Sequence, residues 1–166
     1  MRIFEERLVL SNQEVGLNPT SEELARTILA RMGLEPRKKG STEKMHKTLL
    51  EMYERTKVSY RDKTPESSIM TVEEMALFAG ISRQTMYDYL GRWLSINLIS
   101  KATYIKENKV IIGYKLNGPT LEAAFEKTQM SVRNHLELTN RYIRELQKTI
   151  KNDKISDTQK LKSCET

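Results

Sequence analysis

The 166-residue sequence contains one cysteine, few aromatic residues and no long hydrophobic run. Cys164, the only cysteine, excludes an intrachain disulfide framework and a cysteine-rich zinc site, and its isolation predicts a reducing compartment. No segment approaches the roughly 18 to 20 apolar residues of a transmembrane helix. The first ten residues, MRIFEERLVL, are too charged for a secretory signal. We therefore expect a soluble cytoplasmic protein.

The usual residue sets of catalytic and metal sites are also missing. The two histidines, His46 and His135, lie on separate predicted helices without a cysteine, a carboxylate or a second histidine at ligand spacing. We expect His46 on the surface of a basic helix and His135 beside an apolar seam. No phosphate-binding glycine loop or nucleophile elbow occurs. The sequence thus predicts no enzyme, no cofactor and no metal ion.

Positive charge is what the chain has in excess. The formal net charge is +6, and basic residues concentrate in residues 36–63, 82–115 and 141–166. This distribution favours nucleic acid or another anionic surface as a partner, although a basic chain can also serve solubility alone. The hydrophobic content of 38% supports one modest core, in which the eight methionines are expected to pack.

The N-terminal extension, residues 1–40, is expected to hold one helix over about residues 20–33. Thr20 and Glu23 have the spacing of a capping box, and Gly33 marks the end of the helix. The expected apolar stripe of this helix consists of Leu24, Ile28 and Met32. A basic link at residues 37–39 follows, either as a solvated linker or as a source of phosphate contacts.

A second amphipathic helix is predicted from Thr42 to Lys57, because apolar residues recur there at spacings of three and four. Its buried positions are expected to be Met45, Leu49, Met52 and either Tyr53 or Thr56. The following segment, VSYRDKTPESSIM, is predicted to be a loop.

Residues 75–94, MALFAGISRQTMYDYLGRWL, contain the pattern of two helices joined by a tight turn. Thr71 and Glu74 form a capping box for the first helix, and Gly80 can adopt the positive φ that ends it. Ser82 caps the second helix, which is expected to run to about Asn97. Its buried face is expected to hold Met86, Leu90, Trp93 or Leu94, and Asn97 or Leu98.

The rest of the chain predicts a β-hairpin and a long helix. The segments SKATYIK and KVIIGYKLN are rich in β-branched and aromatic residues and flank a tight turn at Glu107 and Asn108, which predicts a hairpin over 101–116. A helix is expected over 120–151, followed by a disordered polar tail at 152–166. Apolar residues at spacings of four and three form a seam on this helix, suited to homodimerisation: Val132, Leu136, Thr139, Ile143, Leu146 and Ile150.

The order helix, helix, turn, helix, hairpin over about residues 42–125 resembles the winged helix-turn-helix proteins, most of which are transcriptional regulators. The matching positions are the small residue, turn glycine, apolar plug, cap and core of that motif: Ala76, Gly80, Ile81, Ser82, Thr85, Met86 and Leu90. The resemblance implies a mainly α fold with a β-hairpin wing. A winged helix-turn-helix module at 41–119 would lie between the N-terminal helix and a long C-terminal dimerisation helix.

The exposed face of the helix at 82–97 is suited to entering a DNA major groove. Arg83 would bind guanine or a phosphate, and Gln84 would pair with adenine. Asp88 would accept from cytosine or position an arginine. Hydroxyl groups on the same helix would bind phosphates. The predicted DNA-binding residues are Ser82, Arg83, Gln84, Thr85, Tyr87, Asp88 and Arg92 on the helix, and Lys106, Asn108 and Lys109 at the wing tip.

These features predict a sequence-specific regulator of transcription that binds double-stranded DNA as a homodimer on an inverted-repeat site. An alternative is a winged helix that serves as a protein-interaction module in a larger transcription or membrane-remodelling assembly, with the region of Tyr87 and Tyr89 as its contact surface. A pocket for a small-molecule or metal effector remains open, although the sequence shows no ligand set for one.

Overall fold

The computed structural model describes residues 9–35 and 44–164. The elements within these residues are five α-helices, one 3-10 turn and one antiparallel hairpin, so the chain is mainly helical, as expected. The helices are α1 (Ser21–Arg31), α2 (Met45–Asp62), α3 (Val72–Ala79), α4 (Arg83–Ser95) and α5 (Leu121–Cys164); the 3-10 turn is Pro65–Ser68, and the strands are β1 (Ile99–Lys106) and β2 (Lys109–Leu116). The chain divides into two compact units, Met1–Thr128 and Gln129–Thr166.

Helix α1 begins at the predicted capping box, in which Thr20 and Glu23 exchange side-chain and backbone hydrogen bonds. Its predicted apolar stripe is wrong at Leu24 and Ile28, whereas Met32 packs against the core. Leu24 and Ile28 are 41% and 38% exposed, whereas Leu29 and its neighbour along the stripe, Ala25, are buried. Two adjacent stripes with a spacing of four were available in this 11-residue helix, and packing against the rest of the core selects between them.

The residues of α1 and the segment after it share one hydrophobic core with the remainder of the first unit. Leu29 and Leu34 are fully buried in the same cluster as Met45, Met52 and Trp93. The N-terminal helix is therefore part of this unit's core. The expected boundary at residue 40 and the basic link at 37–39 lie outside the described residues.

Helix α2 extends to Asp62, five residues beyond the predicted end at Lys57. The predicted loop is thus helical at 58–62, because no glycine or proline interrupts the helix before Lys63 ends it in the left-handed conformation, with φ 54°. Its buried face matches the prediction at Met45, Leu49, Met52 and Thr56. Arg55 pairs with Glu51 on α2 itself (2.9 Å) and with Glu74 on α3 (3.2 Å), and the second ion pair ties α2 to α3.

His46, expected on the surface, is buried with 5% exposure. Its Nε2 lies 3.7 Å from a Glu22 carboxylate oxygen, so α1 packs over this position on α2. Burial lowers the pKa of His46, and the neighbouring Arg26 acts in the same direction. The expectation was wrong because the basic character of α2 does not reveal which of its faces α1 covers.

The hairpin has the predicted turn. Glu107 and Asn108 both have positive φ, 49° and 60°, which is the geometry of a two-residue turn matched to strand twist. At the base of the hairpin, Tyr114 exchanges two backbone hydrogen bonds with Met70, at 2.8 and 2.9 Å. Gly113 permits this approach, since a Cβ there would lie 2.6 Å from the Met70 carbonyl oxygen. This bridge anchors the hairpin to the chain segment that leads into α3.

Helix α5 begins where Thr120 Oγ1 accepts a hydrogen bond from the Ala123 N–H, at 3.1 Å. It is 44 residues long and ends at Cys164. The predicted disordered tail is therefore wrong over residues 152–164, a stretch with neither glycine nor proline to stop the helix. None of the described helices is long and apolar enough to span a membrane.

Candidate nucleic-acid interface

The turn between α3 and α4 has the geometry that the sequence predicts. Gly80 adopts the left-handed conformation, with φ 67° and ψ 34°, and the Ile81 N–H donates to the Ala76 carbonyl at 3.1 Å. Ala76 and Ala79 are buried, which allows the two helices to approach closely. The turn fixes the direction in which α4 leaves α3.

Helix α4 buries one face in the core of the first unit. The buried residues are Met86, Tyr89, Leu90 and Trp93, of which Tyr89 was not predicted. Tyr89 lies three residues after Met86, so the helical spacing contained the information that its ring faces inward. With 6% exposure, Tyr89 does not contribute to a contact surface in the way that the protein-interaction alternative assumes.

The opposite face of α4 presents polar side chains to solvent. The exposed residues are Ser82, Arg83, Gln84, Tyr87 and Asp88, and Thr85 is half-buried beside them. All of these residues belong to the predicted DNA-binding set. The structure therefore brings six of the seven predicted residues of this helix together at its N-terminal end.

Ser82 is the N-cap of α4, and its hydroxyl accepts from the Thr85 N–H at 3.1 Å. The two hydroxyl oxygens lie 2.8 Å apart and share one hydrogen bond, which leaves one hydroxyl proton of the pair for another acceptor. Met86 donates to the Ser82 carbonyl as the first regular bond of the helix. The N–H groups of Arg83 and Gln84 thus point outward at the positive end of the helix dipole.

Arg83 is held by two neighbours on the surface. Its Nε lies 3.1 Å from Glu73 Oε1, and a terminal nitrogen donates to the Tyr87 hydroxyl at 3.4 Å. The hydroxyl of Tyr87 and then the carboxylate of Glu73 raise the pKa of Arg83. Its guanidinium is thus directed along the exposed face, and its ion pair is with Glu73 instead of the neighbouring Asp88.

Arg92, the seventh predicted residue of this helix, lies apart from this set. Its guanidinium donates to the carbonyls of Gly33 and Glu35, each at 3.4 Å, and lies 4.7 Å from the centre of the Tyr89 ring. These contacts tie α4 to the segment after α1. Sequence spacing missed this role because both carbonyls are almost sixty residues away along the chain.

The hairpin tip carries the predicted residues Lys106, Asn108 and Lys109, all exposed. Lys106 and Lys109 form the last pair of the hairpin and stand directly opposite each other. Their like charges repel, so this position favours an anion between or beside the two ammonium groups. The tip is therefore a second exposed basic element.

The other face of the hairpin carries an apolar patch near the tip, which the sequence reasoning missed. Ile105 pairs with Val110, and these residues are 75% and 66% exposed; Ile112, on the same face, is 51% exposed. Tyr114 also lies on this face. Burial, and then the charge of Tyr87, raises the pKa of Tyr114. Strict alternation of side chains along β2 could have indicated the apolar patch.

The described residues include no group of three or more His, Cys, Asp or Glu side chains that could hold a metal ion. The chemistry of the face on α4 and of the hairpin tip is hydrogen bonding and positive charge. No protein-family model matches this chain, and comparison with the curated proteins finds no relative of it.

Proposed function

We propose that the protein is a sequence-specific regulator of transcription that binds double-stranded DNA as a homodimer. The observation that carries this proposal is the exposed N-terminal face of α4, where Arg83, Gln84 and Tyr87 stand together while Met86 and Trp93 anchor the helix in the core. A helix anchored in this way, with a polar first turn directed outward, matches the geometry of major-groove recognition.

Each group on this face has a part in binding. The outward N–H groups at the start of α4 and the hydroxyls of Ser82 and Thr85 meet backbone phosphates. Gln84 pairs with adenine, and Arg83 forms a bidentate contact with guanine or clamps a phosphate. Arg83 leaves Glu73 when it does so, at little cost, since both side chains are more than half exposed.

The hairpin tip supplies contacts that do not depend on sequence. A phosphate beside Lys106 and Lys109 relieves the repulsion between two ammonium groups that face each other. Neutralising phosphates releases counterions, so binding weakens as salt concentration rises. Ile105 and Val110 lie on the opposite face of the hairpin from Lys106 and Lys109 and take no part in this contact.

The dimer is proposed to form through α5. The seam residues Leu136, Ile143, Leu146 and Ile150 are 47% to 60% exposed in the single chain. They repeat at the spacing of a coiled coil, which makes a second copy of the same helix a complementary partner. A two-fold axis between two copies presents two α4 helices to the two halves of an inverted repeat.

The test is selection of binding sites from a random duplex library by the full chain, followed by titration of the selected duplex at several salt concentrations. We expect enrichment of an inverted repeat with half-sites about 10 base pairs apart, centre to centre, and affinity that falls steeply with salt. A chain that enriches no sequence, and binds duplex only weakly, would exclude the proposed function.

A second candidate is a protein-interaction module, favoured by the exposed apolar residues Ile105, Val110 and Ile112 on one face of the hairpin. Exposed β-branched side chains on a short hairpin are suited to packing against a partner protein. In that case a double variant, Ile105→Ser with Val110→Ser, abolishes partner binding. DNA selection would then yield nothing, and partner binding would vary little with salt.

A further inference from the structure

The apolar seam of α5 is symmetric in its spacing. Its six residues form three pairs, and the two members of each pair are equally far from Arg141 in sequence: Val132 and Ile150, Leu136 and Leu146, Thr139 and Ile143. A second α5 that runs in the opposite direction therefore places every residue of the seam opposite another residue of the seam. A parallel second helix in register places each residue opposite its own copy. The spacing fits both directions, and the charges of the helix distinguish between them.

The polar continuation of the seam disfavours the parallel direction. The same spacing of three and four leads from Ile150 to Asp153 and Asp157, both of which are exposed in the single chain. In a parallel dimer each of these carboxylates would face its own copy across the seam, where like charges repel. In the antiparallel dimer Asp153 lies opposite Gln129 of the partner subunit, whose amide can donate a hydrogen bond to it.

The two halves of α5 also differ in net charge. Residues 121–140 contain two basic and three acidic residues, whereas residues 142–164 contain six basic and three acidic residues. A parallel dimer would set the two strongly basic halves side by side. The antiparallel dimer sets the basic half of each helix beside the slightly acidic half of the other, so the charges attract and the helix dipoles are opposed.

Tyr142 supports the same direction. It directly precedes Ile143 of the seam, and its side chain is 65% exposed in the single chain. In an antiparallel pair, residues on one flank of the seam meet residues of the same flank, so Tyr142 lies beside Tyr142 of the partner subunit. The two rings then cover each other. In a parallel pair each ring would instead lie beside Gln147 of the partner subunit.

The hydroxyl of Thr139 is no obstacle to this pairing. It donates to the His135 carbonyl of its own helix, at 2.9 Å, so its hydrogen bond is already made. The methyl group is then the part of Thr139 that packs opposite Ile143 of the partner subunit. The seam therefore stays apolar from Val132 to Ile150 although one of its residues is a threonine.

We propose that two copies of α5 pair in antiparallel orientation around Arg141, with Leu136 of each chain opposite Leu146 of the partner subunit. This inference rests on the dimer of the proposed function and specifies its geometry. Gln129, the first residue of the second unit, lies opposite residue 153 of the partner subunit. The two copies of Gln129 are then about 36 Å apart along the helix axis, at about 1.5 Å per residue. This separation is close to the distance of about 34 to 36 Å between half-sites one DNA turn apart.

The test is disulfide cross-linking of full-length chains in which Cys164→Ser removes the natural thiol. Leu136→Cys and Leu146→Cys are oxidised with diamide, separately and after mixing. The antiparallel dimer separates two copies of residue 136 by about 15 Å along the axis, too far for a disulfide. We therefore expect a covalent dimer only in the mixed sample. Covalent dimers in each separate sample, and none in the mixture beyond these, would overturn the proposal in favour of a parallel dimer.

Arg144→Cys, on the side of α5 away from the seam, is the matched control and should not cross-link in either direction. A second measurement leaves the seam intact, with a nitroxide label on Asn152→Cys in the same background. We expect a distance of about 33 Å or more between the two labels in electron–electron resonance, since 22 residues separate them along the axis. A distance below about 20 Å would contradict the antiparallel pairing. Sedimentation of the parent chain as a monomer would instead reject the proposed dimer itself.

Discussion

Nε of Arg83, in the first turn of α4, lies 3.1 Å from Oε1 of Glu73, in the first turn of α3. The ion pair therefore spans the turn at Gly80 and directs the arginine along the exposed face of α4. Both side chains are more than half exposed, so the pair adds about 0 to 1 kcal/mol to stability. In the proposed complex, Glu73 competes with DNA for the same guanidinium.

Removing each partner of this pair should change DNA affinity in opposite directions. Arg83→Ala is expected to lower affinity for the selected duplex by about 1 to 3 kcal/mol and to relax one base position. Glu73→Gln should raise affinity a few-fold, because it removes both the competing partner and a negative charge. Fluorescence anisotropy at fixed salt measures both effects.

Arg61→Ala is the matched control for this pair, since Arg61 is also exposed and paired, in its case with Asp62. It should bind the duplex like the parent. Weaker binding by Glu73→Gln would instead mean that Glu73 orients Arg83 for DNA.

At the hairpin tip, Lys109→Ala should weaken binding to all duplexes alike. One phosphate contact is lost, so the slope of log affinity against log salt should become shallower by about one unit. The free energy of unfolding should not fall, because the change removes the repulsion between Lys106 and Lys109. Lys148→Ala, which removes an exposed and paired lysine on α5, should leave the salt slope unchanged.

The bridge between Met70 and Tyr114 predicts that Gly113→Ala is destabilising. A Cβ at residue 113 would lie 2.4 Å from Ile69 Cγ2 and 2.6 Å from the Met70 carbonyl oxygen. Displacing them should cost about 1 to 3 kcal/mol of the free energy of unfolding, as overpacking does elsewhere. Urea denaturation of the two proteins measures the difference.

Gly91→Ala serves as the control for this substitution. Gly91 lies within α4, and a Cβ there would meet nothing within 4 Å. Alanine should therefore stabilise the chain by about 0.5 to 1 kcal/mol. Equal effects of the two substitutions would show that the approach at Gly113 is not tight.

His46 should make stability dependent on pH. Burial, reinforced by Arg26, lowers its pKa below 6.5 in the folded chain. Below pH 6.5 the unfolded chain binds more protons than the folded one. The free energy of unfolding therefore falls as pH decreases from 6.5 towards the folded-state pKa, by at most about 1.4 kcal/mol per pH unit for one proton.

His46→Gln should flatten this dependence, whereas His135→Gln, on the exposed surface of α5, should retain it. The measurement is urea denaturation at several values between about pH 5.5 and 7.5, around the ordinary histidine pKa. This window limits the contribution of Glu35. Burial raises the pKa of Glu35, so its carboxyl favours the folded chain at low pH and acts in the opposite direction. An unchanged slope in His46→Gln would assign the dependence to other groups.

The proposed dimer seam can be tested with two neighbouring residues of α5. Leu146→Lys places a charge in the seam and should convert a dimer into a monomer in analytical ultracentrifugation. Gln147→Lys adds the same charge one residue further on, outside the seam, and should leave the dimer intact. Deleting residues 132–166 should likewise yield a monomer with much weaker affinity for the selected duplex. A dimer that survives the deletion would place the interface in the first unit.

Local signals in the sequence were sufficient for several parts of the fold. The capping boxes at Thr20 and Thr71, the left-handed Gly80 and the hairpin turn at Glu107 each depend on residues that are close together in the chain. The predicted outward face of α4 also agrees with the structure at Arg83, Gln84, Tyr87 and Asp88, because burial of Met86 and Leu90 turns the opposite side of the helix to solvent.

The positions that the sequence left undetermined depend on partners that are distant in sequence. Arg92 bonds to carbonyls of the segment after α1, and His46 is buried by α1 itself. Which stripe of α1 faces the core was equally undetermined, since Leu24 and Ala25 both begin a stripe with helical spacing. The packing of α1 against α2 decides the cases of His46 and of the α1 stripe, and the packing of α4 against the segment after α1 decides that of Arg92.

The sequence alone determined the order of the elements, their caps and turns, and the polar character of the exposed face of α4, because these follow from local hydrogen bonding and from helical periodicity. Tertiary structure decided the burial of His46 beneath α1, the contacts of Arg92 with the segment after α1, and the close approach of Gly113 to Met70. Each of these contacts joins residues that are distant in sequence. Packing of the whole core, and not any local pattern, brings the residues together.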